Sequence, residues 1–174
     1  GRAFWEFGSD RLGSYGTTMA PMMLPYFTDG CIGSMEGLYF EASATVPYHF
    51  LMQAELSGPS VDPEGDGTFV GGPSRPMRGL PYGAFDIDLG VDHLQMLGVR
   101  YYLAFSETAV AAASTHPDLT EIASSGPWHV YEVAGSEIVA PLANEPAVLT
   151  GVHDHQAEWL DVAVPWFLDR EEWP

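Results

Sequence analysis

The chain has 174 residues, enough for one domain with a sizeable core, since a chain of this size buries about 70% of its unfolded surface. Its charge is one-sided: 24 Asp and Glu against six Arg and no Lys leave a formal net charge of −18, while 46% of residues are hydrophobic. Such a surface repels phosphate backbones and so excludes nucleic acid as a partner; the single Cys31 excludes an internal disulfide, and no apolar run approaches the ~20 residues of a bilayer span.

Arg2 to Phe7 reads as a first strand, with Ala3, Trp5 and Phe7 on one side. Thr17 to Phe27 is apolar, but Pro21 and Pro25 allow only a short or broken helix. From Ser34 to Ser43, Leu38 and Phe40 face one way and Tyr39 and Glu41 the other. Val46 to Leu56 is a helix with Pro47 in its first turn, where the missing N–H does no harm. Gly58 to Gly83 carries seven glycines and five prolines and reads as a long loop, a candidate binding flap.

The phrase from Asp88 to Ser106, DLGVDHLQMLGVRYYLAFS, is the strongest fold signal. Val91, Leu94 and Leu97 share a helical face, Gly98 suits a helix C-terminus, and from Val99 the pattern alternates. Val99, Tyr101, Leu103 and Phe105 are the expected buried side of a central strand, with Leu94 and Leu97 packed on it. Glu107 to Thr115 follows as an alanine-rich helix ended by His116-Pro117. Leu119–Ser124 and Trp128–Val133 form a hairpin around Ser125-Gly126-Pro127, and Ile138 to Leu142 extends the sheet. The tail gives a helix from about Asp154 to Val162 and a second starting at Pro165. The expected fold is a single α/β domain over 1–174, a central mixed sheet flanked by helices with a long Gly/Pro-rich loop at 58–83. Opening within a strand-like phrase, GRAFWEF, and closing at EEWP, the chain reads as a segment of a longer protein.

HLQMLGVRYYLAFS, followed about twenty residues later by GPWHVYEV, resembles the extracytoplasmic domain of polytopic membrane proteins of the GT-C glycosyltransferase superfamily, YfhO-like and actinobacterial. GRAFWE and EGLYFEASATVPYHF are similar to the actinobacterial branch. The resemblance implies a domain on the extracytoplasmic face of the membrane, joined to the transmembrane part of the same polypeptide. It further implies a role in envelope glycan assembly, with a glycan or polyprenyl-linked sugar as acceptor. The family's catalytic carboxylates lie in membrane-proximal loops that are not recognisable here, so the implied role is acceptor recognition or architecture, with no catalytic residue and no cofactor in this chain.

Among residues that carry chemistry, Trp5, Tyr39, His49 and Trp128 are the binding candidates, aromatic faces being suited to the C–H-rich faces of sugars. Tyr102 and Tyr131 belong to the same aromatic set, most of which must be core. His153-Asp154-His155 with Glu158 is the nearest approach to a metal site. Adjacent-but-one histidines on a helix diverge by about 200°, so a solvated helix cap is the simpler reading. Asp62 to Gly67 resembles the front of a calcium loop, but Pro73 stands where its bidentate glutamate belongs. Glu36 and Glu41 point to opposite sides of a strand, and pairing with Arg2 or Arg100 is the expected role of one of them. No G-x-S-x-G, P-loop or G-x-G-x-x-G phrase occurs. Two other readings stand beside the GT-C one: a carbohydrate-binding or scaffold module without an enzymatic parent, and a metal-dependent hydrolase using His153 and His155.

Overall fold

A computed structural model of the chain describes residues 1–37, 42–58, 73–143, 145–152 and 156–173. The flap expected at 58–83 and the alternating residues 38–41 fall largely outside them. The described residues form the expected α/β domain with a five-stranded mixed sheet. Its strands are β1 (Arg2–Trp5), β2 (Gly33–Ser34), β3 (Tyr101–Ala104), β4 (Leu119–Ser125) and β5 (Trp128–Val133), in the order β2-β1-β3-β5-β4. β1 is parallel to both β2 and β3, with Trp5 opposite Leu103, and the β4–β5 hairpin joins antiparallel to β3. β3 is therefore the middle strand, as its alternating sequence leads one to expect.

The first connection carries α1 (Ser9–Gly13), a 3₁₀ turn over Ala20–Met23 and the one-turn α2 (Leu24–Phe27), the broken form that two prolines impose. The second carries α3 (Val46–Leu56) and α4 (Ile87–Met96); α5 (Glu107–Thr115) and α6 (Gln156–Leu168) follow. Short polar side chains start two of these helices: Asp86 accepts from the amide of Leu89, and Ser106 from that of Ala109. Gly98 ends the α4 turn at φ +62°, where a Cβ would sit 2.7 Å from the Glu137 carbonyl oxygen.

The core lies on the helix-covered side. Phe4, Tyr102, Ala104, Tyr131 and Val133 from the sheet join residues of α3, α4, α5 and α6. On β3 the buried pair is thus Tyr102 and Ala104, whereas Tyr101, Leu103 and Phe105 are only partly covered. This reverses the expected facing, although Val99, Leu94 and Leu97 do join the core. Alternation separates two faces of a strand without saying which will be covered, and here the helices pack over the Tyr102 side. Ala3 and Trp5 point the other way and, with Leu12 of α1, are buried outside the main cluster.

Two further expectations are corrected. α6 runs unbroken through Pro165 instead of restarting there. Pro165 and Asp161, whose carbonyl loses its helical partner, both lie on the exposed side of the helix, where the missing bond costs least. Ile138 to Leu142 forms no strand, and Ile138 and Val139 are largely exposed. β propensity is set by context, and this segment pairs with neither edge strand of the sheet.

Every residue of α3 is buried, so its polar side chains must find partners within the protein. Glu55 meets His93 of α4, with Oε2 2.6 Å from Nδ1, and His93 Nε2 lies 2.9 Å from the Phe167 carbonyl oxygen of α6. That carbonyl only accepts, so Nε2 carries a proton and one further proton is shared between Nδ1 and Glu55. The His93 ring also stacks on Phe167 at 3.8 Å, pinning α6 to α4. Gly90 brings α4 against α3: a Cβ there would lie 2.5 Å from Leu56 Cδ2.

Candidate ligand-binding cleft

The other polar pair of α3, His49 and Gln53, is one helical turn apart and so shares a face opposite to that of Glu55. Both meet Glu36, which follows β2 by two residues. His49 Nε2 lies 2.9 Å from Glu36 Oε1, the two side chains being 4% and 9% exposed. Gln53 Nε2 donates to the same oxygen over a long 3.5 Å. The Phe4 ring lies against His49 at 5.2 Å between centroids. Glu36 therefore takes a histidine partner; Glu41, the other carboxylate for which an arginine partner was expected, lies outside the described residues. Arg100 instead pairs with Glu132, and Arg2 donates to the Leu97 carbonyl.

Glu36 and Gln53, with Thr18, Ser43 and Ser74, are the polar residues lining a cleft of about 930 Å³. Phe7, two residues past β1, lines it too, so the cleft opens off the carboxyl ends of two parallel strands, the usual position for ligands in open α/β sheets. Its remaining walls are mostly apolar: Met19 and Met22 from the turn before α2, Phe50 from α3, Met77, and Leu160 from α6. Unbranched thioether side chains adapt their shape to an apolar occupant. Trp159 closes one side, its Nε1 donating to the Ala44 carbonyl at 3.2 Å.

A second position at the strand ends is filled by the protein itself. The order β2-β1-β3 makes the junction of β1 and β3 a switch point, where an anion would be expected beside the start of α5. Glu6 occupies it. Its Oε2 accepts from the amides of Phe105 and Ser106 at 2.7 and 2.8 Å, and its Oε1 from Gly58 at 3.0 Å. Fully buried, this carboxylate closes the crevice to nucleotide phosphates.

Of the expected binding residues, the three that are described do not converge. His49 reaches the cleft through Glu36, whereas Trp5 is only 2% exposed and offers no face to a sugar. Trp128 lies at the start of β5, where its Nε1 donates to the Tyr15 hydroxyl at 2.7 Å and its ring meets the edge of Phe105. Tyr39, Glu41, His153 and His155 lie outside the described residues, and Glu158 is exposed in the first turn of α6. Among the described residues no group of three His, Cys, Asp or Glu is close enough to hold a metal ion. Sequence reading missed Gln53 and the methionines of the walls. An i, i+4 pair of polar residues inside an otherwise apolar helix was the available sign for Gln53.

The chain matches no family model, no curated protein and no solved structure. Among the described residues no helix is long and apolar enough to cross a membrane.

Proposed function

We propose that this domain recognises an amphipathic ligand in the cleft between α3, α6 and the strand ends. The ligand joins a sugar to a hydrocarbon chain, as a polyprenyl-linked glycan acceptor does. The reading places the domain on the extracytoplasmic face of a polytopic, GT-C-like envelope glycosyltransferase, where it presents the acceptor to catalytic carboxylates in the membrane part of the same polypeptide. The observation that carries it is the cleft itself: about 930 Å³, with apolar walls around the single acidic side chain of Glu36. Such a division between an apolar lining and a few polar groups is the general form of a small-molecule site.

The test is titration of the domain with dodecyl maltoside below its micelle concentration, and with maltose alone, followed by tryptophan fluorescence. Saturable binding of the alkyl glycoside and much weaker binding of maltose are expected, because apolar burial supplies most of the affinity. Ala44→Trp, which fills the cleft from its rim, abolishes the response. Lack of saturation, or unchanged binding by Ala44→Trp, defeats the reading.

A further inference from the structure

We infer that the cleft selects the polar end of its ligand, accepting a hydroxyl-bearing sugar and rejecting a phosphate. The inference rests on the cleft being the ligand site. Gln53 is 2% exposed and lines the cleft, yet among the described residues its Oε1 has no hydrogen-bond partner. The amide is not free to turn round: Nε2 faces Glu36 Oε1, and the flipped amide would set its carbonyl oxygen against the carboxylate. Oε1 is thus a buried acceptor aimed away from Glu36, and a buried acceptor is costly until a donor reaches it. The Glu36 carboxylate is a second acceptor beside it.

Among the described residues no Arg or Lys lines the cleft, and the charge of the chain is strongly negative. A phosphate brought to this floor would lose water, face a carboxylate and an amide oxygen, and find no cation. Two hydroxyls of a sugar donate, one to each acceptor, and carry no charge. The floor therefore takes the sugar of a lipid-linked acceptor, and any phosphate that joins this sugar to its chain stays clear of Glu36 and Gln53.

The experiment compares dodecyl maltoside with dodecyl phosphate, both below their micelle concentrations, on the wild-type domain and on Gln53→Met and Glu36→Gln. Wild type is expected to bind the maltoside at least about tenfold more tightly. Gln53→Met, which keeps the length but loses the acceptor, weakens the maltoside about tenfold and does not weaken the phosphate. Glu36→Gln narrows the discrimination by improving dodecyl phosphate. Equal or tighter binding of dodecyl phosphate by wild type overturns the inference while leaving the cleft as a ligand site, and unaltered maltoside affinity in a folded Gln53→Met does the same. Failure of both probes to bind wild type removes the cleft reading and this inference with it. The wild-type comparison decides the matter even where a variant does not fold.

Discussion

Glu6 holds three backbone amides that lie 52, 99 and 100 residues away in sequence. Each of its oxygens is committed, and both must be acceptors. Glu6→Gln keeps the shape but turns one acceptor into a donor facing N–H groups, leaving at least one buried amide unsatisfied. We expect a loss of roughly 2–4 kcal/mol in urea denaturation. A change within about 0.5 kcal/mol, the range of ordinary surface substitutions, contradicts this account. Nothing near Glu6 in the sequence marks this role, because all three donors arrive by folding.

Among the elements, α3 decides most. Its two polar faces serve different ends: His49 and Gln53 furnish the cleft floor, and Glu55 joins His93 to fix α4 and, through Phe167, α6. His93→Leu leaves Glu55 buried without its partner and should cost about 3–5 kcal/mol. It should also speed amide exchange along α6, which loses both the ring stack and the bond to the Phe167 carbonyl. The double variant His93→Leu/Glu55→Leu removes the unpaired charge and is expected to be more stable than the sum of the two single losses predicts. Strict additivity, or α6 exchange unchanged in His93→Leu, would show that the pair does not hold the helix.

For the molecule as a whole, buried tyrosines are expected to set the alkaline limit of stability. Burial raises the Tyr102 hydroxyl well above its ordinary value of 10.0, aided by the charge of Glu6 and by Tyr131. Burial is also the first cause of the upward shifts of Tyr131 and Tyr48. These groups are acids whose folded pKa exceeds the unfolded value, so their contribution is complete below about pH 10 and is lost as pH rises through the folded values. Urea stability should hold below about pH 10 and then fall, with tyrosinate absorbance and loss of near-ultraviolet dichroism appearing together. Tyr102→Phe makes the fall shallower, at a cost of about 1 kcal/mol at neutral pH for the lost bond to the Leu56 carbonyl. Ionisation of all eight tyrosines near pH 10 with the fold intact would refute this.

The sequence alone determines the elements whose causes are local. Helical spacing and glycine give α4 and its end; alternation gives β3; the Gly126-Pro127 turn gives the β4–β5 hairpin; Ser106 and His116-Pro117 bound α5. These signals act over a few residues, and the α/β class follows from their succession. Tertiary structure decided the rest: that Tyr102, not Tyr101, faces the helices, that Pro165 sits inside a helix, and that Ile138 to Leu142 pairs with no strand. It also decided the cleft. Phe7, Met22, Glu36, Gln53, Met77 and Leu160 meet there from six separate stretches of chain, and their convergence depends on which face each element buries and which strands become neighbours. Local periodicity leaves both choices open, and packing of the helices over one face of the sheet settles them.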